Sequence, residues 1–207
     1  MEIEIPSAQV VLHGDLEIPS SPRGLVIFVH GSGSSRLSPR NKKVAEYLNQ
    51  ERFATLLFDL LSVEEEKNRQ NVFDVTKLSE RLVEVTNWVS SQVEVKEIPI
   101  GYFGASTGAA AALIAATLSK VHISAVVSRG GRVDLANRYL VEVRAPTLMI
   151  VGEEDQEVLV LNRTAQAHMT CLNEILIIPG ATHLFEEPGA LDLVTNLAAK
   201  WFMKYLI

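Results

Sequence analysis

One cysteine, Cys171, stands alone in 207 residues. No internal disulfide can form, so nothing in the composition calls for an oxidising compartment. No apolar run reaches the roughly 18 residues that a membrane span needs. The opening MEIEIPSAQV lacks the basic stretch followed by an apolar one that marks a secretory leader, and the expectation is a cytoplasmic protein. Positive charge is in deficit: 19 Lys and Arg against 25 Asp and Glu leave a net −6, and that sign repels phosphate backbones and anionic headgroups. Nucleic acid and membrane are set aside as partners, and a small-molecule substrate is expected. A Pro/Gly/Ser-rich linker, a repeat period, a low-complexity tract and a shift of composition between halves are all missing as well. One domain over residues 1–207 is expected, large enough to bury most of its apolar surface. No His/Cys/Asp cluster has metal-ligand spacing, so no metal is expected.

What is present alternates between two patterns. Short β-branched apolar runs occur at LVIFVH (25–30), ATLLFD (54–59), IPIGYF (98–103), ISAVVS (123–128), TLMIVG (147–152) and EILIIP (174–179). Runs apolar at every position read as strands buried on both faces. Between most of them lie helix-period sets: Val44, Tyr47 and Leu48; Leu78, Leu82, Val85 and Val89; Leu191, Val194, Ala198 and Trp201. Strand-helix-strand repetition predicts an α/β fold, a mostly parallel sheet with helices on both faces. MEIEIP and VVLHGDLEIP alternate instead, which predicts an antiparallel hairpin at one edge. The acidic EEEK at 64–67 reads as a solvated loop.

In such sheets ligands bind beyond the carboxyl ends of the strands, so the residues just after each apolar run carry the chemistry. After IPIGYF comes Gly104-Ala105-Ser106-Thr107-Gly108, a G-x-S-x-G placed at a strand-to-helix turn and followed by alanines at 109–112. The turn would strain the serine, the glycines would avoid collisions, and the alanines would let the helix pack close. The pentapeptide alone is a weak signal; its placement makes it a strong one. A serine hydroxyl attacks only when a base takes its proton and an acid fixes that base, and on this type of sheet the chain order is serine, acid, histidine. TLMIVG is followed by Glu153-Glu154-Asp155 and EILIIP by Gly180-Ala181-Thr182-His183. Asp155 is the expected acid, with Glu154 second, and His183 the expected base. His13 falls in the hairpin, His122 at the start of a strand and His168 on a helix, and each reads as structural.

Acyl transfer also needs two oxyanion donors, ordinarily the amide after the nucleophile and one from the loop after an earlier strand. Thr107 supplies the first. The loop His30-Gly31-Ser32-Gly33-Ser34-Ser35 should supply the second, with Ser32 the expected donor. A dinucleotide or phosphate loop fails there, because Arg36 takes the last glycine position of G-x-G-x-x-G and G-K-[ST] is absent, so no cofactor is expected. His30 precedes the serine in the chain and reads as structural.

Strand-HGSGSS, GASTG, strand-GEED and GATHLF, in this order over essentially the whole chain, resemble an α/β-hydrolase of the dienelactone hydrolase-like group. SRGGRVDLA (128–136) and PGATHLFEEPGAL (179–191) are similar to hydrolase domains fused to phosphoribosyltransferases in some bacteria. The resemblance implies Ser106, Asp155 and His183 as a triad. Dienelactone hydrolase proper uses cysteine where this chain has Ser106, so the resemblance does not extend to dienelactone as substrate. The 18 residues 129–146 are too few for a helical cap, which predicts an open site. In that segment lie Arg129 and Arg132, and the 30–35 loop continues into Arg36, Arg40, Lys42 and Lys43. Arg129, Arg132 and Arg36 are the candidates to hold an anionic substrate group, arginine being able to do so bidentately. The competing role is pairing with Asp134, Asp59 or the glutamates at 64–66, or exposure to solvent. The expected activity is hydrolysis of a small ester, lactone or related acyl compound. Thioester hydrolysis, perhydrolysis on the same triad, or a non-catalytic binding module on the same fold are the alternatives.

Overall fold

Strands without a polar face are stable only when both faces are covered, and the apolar runs find that cover in the middle of an eight-stranded sheet. A computed structural model describes residues 1–8 and 10–206. The strands are β1 (Glu2–Ser7), β2 (Val10–Glu17), β3 (Leu25–Val29), β4 (Ala54–Phe58), β5 (Ile100–Ala105), β6 (Ile123–Arg129), β7 (Thr147–Gly152) and β8 (Asn173–Ile178), in the order β1-β2-β4-β3-β5-β6-β7-β8. β1 pairs antiparallel with β2, Glu2 opposite Asp15, and β2 antiparallel with β4; from β4 to β8 every pairing is parallel. β3, β4, β5 and β7 are buried at every position, whereas β2 alternates as a hairpin strand with one wet face should.

Alternate strand residues feed two cores. On one side Val26, Phe28, Phe103 and Val127 pack under α1 (Pro39–Gln50) and α7 (Ala190–Tyr205) through Val44, Leu48, Val194, Ala198 and Phe202. On the other Leu25, Ile27, Leu56 and Tyr102 pack under α4 (Val75–Ser90) and α5 (Thr107–Leu118) through Leu82, Val85, Val89 and Ala109 to Ala112. α6 (Gln156–Gln166) follows β7. Two 3₁₀ pieces within Val133–Glu142, joined at Asn137 with non-helical φ 44° and ψ −119°, fill the stretch between β6 and β7, with no room for a cap. Among the described residues no helix is long and apolar enough to cross a membrane.

Three local expectations are corrected. β5 runs two residues past IPIGYF, to Ala105, because the ladder needs only backbone groups and Gly104 and Ala105 pair with Ser128 and Arg129. The same pairing makes Arg129 the last residue of β6 rather than a loop residue. Residues 64–66 are helical, with Lys67 as the cap: α2 (Val63–Glu66) opens on a capping box of Ser62 and Glu65, ahead of α3 (Arg69–Phe73). Glu65 accepts from Arg81 Nη1 and Nη2 at 3.2 and 2.9 Å and pairs with Lys77 Nζ at 3.1 Å, so this acidic run clasps α4.

α5 lies unusually close to the sheet. A Cβ on Gly108 would come within 2.2 Å of the Val29 carbonyl oxygen and 2.4 Å of that of His30, and one on Gly104 within 2.5 Å of Ala109 Cα. These are backbone atoms that no rotamer change can move aside.

Two predictions follow from this packing and from Glu65. Helix propensity alone would make Gly108→Ala stabilising by about 1 kcal/mol. The clash reverses the sign, and a net loss of about 3 kcal/mol is expected in urea unfolding. Gly33→Ala, in open space but at φ +70°, should cost only about 1 kcal/mol; equal losses at the two sites would reject the close approach. For Glu65, burial raises the carboxyl, but hydrogen bonds from Arg81, Ser62 and Lys77 outweigh it and bring it down from an ordinary 4.5 to about 2. The folded state therefore binds this proton less readily than the unfolded chain. The stabilisation is complete above pH 4.5 and lost between there and about pH 2. Glu65→Gln should be less stable at neutral pH, with the difference from wild type shrinking through that window in thermal melts.

Candidate active site

The chain enters the site through a strained turn. Ser106 links the end of β5 to the first residue of α5 with φ 49° and ψ −124°, a backbone state that costs a non-glycine residue about 1–3 kcal/mol and persists only when its surroundings fix it. They do so from both sides: the Ser106 N–H donates to the Arg129 carbonyl at 3.2 Å, and the Ser106 carbonyl accepts from the amides of Ala109 at 3.1 Å and Arg132 at 3.0 Å. Thr107 is the first residue of α5, so its N–H has no partner within the helix.

The loops after β7 and β8 are laced together. The Glu154 amide donates to the Ala181 carbonyl at 2.9 Å and the Gly180 amide to Glu153 Oε2 at 2.8 Å, which occupies the first of the three carboxylates. Glu154 points to solvent. Asp155, its side chain 13 % exposed, accepts from His183 Nδ1 at 2.6 Å. A carboxylate can only accept here, so Nδ1 carries the proton and Nε2 is left with the lone pair. Gly130 lies against the same ring: at φ +53° it carries no Cβ, and one built there would sit 3.1 Å from the His183 carbonyl oxygen and 3.4 Å from ring atoms Cε1 and Nδ1. Ser106 and His183 line one cleft of ≈ 360 Å³ with Gly31, Ser32, Arg40 and Arg129.

The loop after β3 closes the cleft from the other side. His30 is 7 % exposed; its Nδ1–H donates to the Gly31 carbonyl at 3.0 Å and its Nε2 accepts from the Leu60 amide at 3.1 Å. Both nitrogens are engaged only in the neutral ring, and burial pushes its pKa below the ordinary value. The ring fixes Gly31 so tightly against the turn that a Cβ there would lie 2.9 Å from Ser106 Cβ. Ser32 is placed differently from expectation as a free donor: its N–H donates to Thr107 Oγ1 at 2.9 Å, so this amide latches the loop to α5.

Two of the three candidate arginines are corrected. Arg36 pairs with Glu2, Asp15 and Asp59 at 2.8, 3.0 and 3.1 Å, tying the loop to the hairpin, and Arg132 grips Asp134 with Nε and Nη2, both at 2.9 Å. Neither lines the cleft; nearby carboxylates satisfy them. Arg129 does line it. Sequence reasoning missed Asn41 and Asn162, 2 % and 0 % exposed. Asn162 Nδ2 donates to the Gly131 carbonyl at 2.8 Å and pins the loop after β6. Their signal was an amide at an apolar-period position, Asn41 with Val44, Ala45 and Leu48, Asn162 with Val158, Leu159 and Ala165. Cys171 is half-buried and burial raises its thiol pKa, which makes it a poor nucleophile.

No protein-family model matches the chain. The crystal structure of a dienelactone hydrolase from Anabaena variabilis is 48 % identical, with a TM-score of 0.97 covering 100 % of this chain and 98 % of that one. Est1E from Butyrivibrio proteoclasticus shares the fold, with a TM-score of 0.82 at 18 % identity over 98 % of each chain. Two curated relatives from strains of Mycobacterium tuberculosis, provisionally named phosphoribosyl transferases, are 55 % identical over 205 residues, 99 % of this chain and 46 % of theirs. The chain thus spans about half the length of the curated relatives it matches. On the full-length likeness to the Anabaena protein, the chain belongs to the dienelactone hydrolase-like group of the α/β-hydrolase superfamily.

Proposed function

We propose that the protein is a serine hydrolase that cleaves a small ester, lactone or related acyl compound through an acyl-enzyme. The observation that carries this reading is the 2.6 Å His183–Asp155 contact, made on the same cleft that Ser106 lines from its strained turn. In the mechanism His183 Nε2 takes the Ser106 proton as Oγ attacks the acyl carbon. Asp155 holds the ring in the Nδ1–H tautomer and offsets the charge that develops on it. The Thr107 amide, at the positive end of α5, donates to the tetrahedral oxyanion, while the Ser32 amide, engaged with Thr107 Oγ1, holds the loop after β3 in place beside it. His183 then returns its proton to the leaving group, and water repeats the sequence on the acyl-enzyme. Asp155 rather than Glu154 holds the acid role, because its carboxylate is the one turned to the imidazole.

A fluorophosphonate should label one residue, Ser106, and Ser106→Ala should abolish labelling in a protein that still folds. A labelled serine elsewhere, or none in folded protein, would remove the catalytic reading and leave a binding module. His183→Ala and Asp155→Asn should each lower kcat by about 10⁴-fold, and the double variant by little more, since such groups act as a unit. A panel of esters, thioesters and lactones then ranks the acyl classes.

A further inference from the structure

The turn that follows β6, residues 129–132, touches both ends of the proposed proton relay. Its Arg129 carbonyl accepts the Ser106 N–H at 3.2 Å, and its Arg132 N–H donates to the Ser106 carbonyl at 3.0 Å, so both backbone groups of Ser106 are bonded to it. Between these two residues Gly130 lies against the His183 ring, close to Cε1 and Nδ1, and its N–H donates to the Ile150 carbonyl at 2.8 Å. Gly131 is wedged in place, since a Cβ there would collide with Ser128 Oγ and would come within 2.6 Å of Ala109 Cβ. Any shift of this turn therefore moves Ser106, His183 or both. Among the described residues a single side chain hydrogen-bonds its backbone: Asn162, fully buried on α6. Asn162 Nδ2 donates to the carbonyls of Gly131 and Val158, both at 2.8 Å, which engages both amide hydrogens. Its Oδ1 is buried with no donor. Such an orphan acceptor costs stability, and an apolar side chain beside Val158, Leu159 and Ala165 would avoid that cost. Core packing alone does not ask for an amide here. α6 starts at Asp155, its N-cap, about two turns before Asn162, so one helix reaches the imidazole at Nδ1 and also the turn that lies against the ring.

We propose that Asn162 is a positioning residue: through the Gly131 carbonyl it fixes the turn that sets Ser106 in register with His183. This rests on the serine hydrolase reading above and adds to it a group that meets neither substrate nor reacting atoms. The Asp155 bond alone leaves the imidazole able to swing about Nδ1. Gly130 limits that swing, and it stays in place because the next carbonyl is bonded to Asn162. Without that bond the Gly131 carbonyl loses its donor, and the turn relaxes, drawing Gly130 off the ring and the Arg132 amide off the Ser106 carbonyl. A displacement of about 1 Å between nucleophile and base lowers the rate about 100-fold. The cleft walls formed by Gly33, Ser34 and Leu184 lie on other loops and keep their shape, so ground-state binding is spared.

The test pairs Asn162→Leu with Asn49→Ala. Asn49 Nδ2 donates to the Phe53 carbonyl at 3.0 Å, an amide that pins a turn in the same manner but lines no part of the cleft. Asn162→Leu should lower kcat on a p-nitrophenyl ester about 10- to 100-fold with KM nearly unchanged, and should slow fluorophosphonate labelling of Ser106 by a similar factor. Its Tm should fall less than that of Asn49→Ala, because leucine removes one unpaired buried group while creating another. Asn49→Ala should lose Tm and keep the wild-type kcat. An unchanged kcat in Asn162→Leu overturns the proposal, as does a rise in KM at constant kcat or an equal loss of kcat in Asn49→Ala. Should Asn162→Leu fail to fold, Asn162→Asp decides. Facing two carbonyl oxygens in a buried setting, that acid is held protonated at neutral pH and keeps one hydrogen for Gly131; its kcat should drop as pH rises through about 7 to 9, where wild type is level. A pH profile parallel to wild type overturns the proposal. A readout without turnover separates the two readings: the proton on His183 Nδ1, followed by NMR, should exchange with water faster in Asn162→Leu than in Asn49→Ala. That result in a protein whose Ser106 does not label removes the hydrolase reading alone, and labelling of Asn162→Leu at the wild-type rate removes the positioning role alone.

Discussion

The site depends on how closely α5 approaches the sheet. Ala109 to Ala112 are fully buried, and their small side chains let the helix axis settle over β3 and β5 at a distance no larger residue would permit. The chain has to reverse from strand to helix within that space, and Ser106 takes the strained conformation that makes the reversal possible. Such strain costs about 1–3 kcal/mol. Burial of nearly every residue of the first two turns of α5 offsets it, since a buried alanine or leucine each contributes where an exposed one would not. A looser helix would let Ser106 relax toward ordinary dihedrals and swing its side chain away from the cleft it shares with His183. Packing of α5 against the sheet thus fixes the turn at the carboxyl end of β5 that carries Ser106.

Around that turn, the fold satisfies its buried polar groups with neutral partners wherever it can. His30 joins the loops after β3 and β4 as an uncharged ring, donating at one nitrogen and accepting at the other. A proton on Nε2 would break the Leu60 bond, so the depressed pKa and the hydrogen-bond pattern are two expressions of one constraint. Asn162 does the same for the loop after β6, and Thr107 for the Ser32 amide. Charged side chains are settled nearer the surface by full complements of carboxylate, as with Arg36 and its three partners. The loops after β3, β4 and β6 are therefore each held by a hydrogen bond between uncharged groups, which keeps the walls around the strained turn insensitive to the proton transfers proposed in front of them.

Much of this was legible in the sequence, and the unreadable parts have physical reasons. Runs such as LVIFVH and TLMIVG identify buried parallel strands because nothing polar in them can face water, and the residues at their carboxyl ends identify the site because that is where a parallel sheet leaves space. Boundaries were harder. Gly104 and Ala105 carry turn-like composition yet remain in β5, since the ladder needs only their backbone. EEEK reads as solvated charge when taken alone; the capping box from Ser62 to Glu65 starts a short helix there, and Arg81, 16 residues on, folds back onto the Glu65 carboxylate. The arginines divide in the same way: Asp134, two residues from Arg132, was readable as its partner, whereas only the fold brings Asp15 to Arg36 and leaves Arg129 without an acid among the described residues. Ser32 was a reasonable donor by position, but whether its amide faces the cleft or the Thr107 hydroxyl is a matter of a single peptide's rotation, which no motif encodes.

The contrast among those arginines bears on why one of them is left unpaired. A chain with 25 acidic residues has no shortage of carboxylates, and Asn41, rather than an Asp, occupies the position of α1 that faces the Arg129 guanidinium. Replacing that amide by a carboxylate would give a buried pair of the kind Arg81 makes with Glu65, and would remove the like-charge stress with Arg40. It would also cancel the positive field within the cleft beside Ser106. Asparagine keeps the shape, offers one weak neutral acceptor and leaves the charge in place. The fold gives Arg36 and Arg132 full acidic partners, yet meets this cation with an amide at 3.5 Å, so among the candidate arginines uncompensated charge collects at the end of β6, beside the turn that carries Ser106.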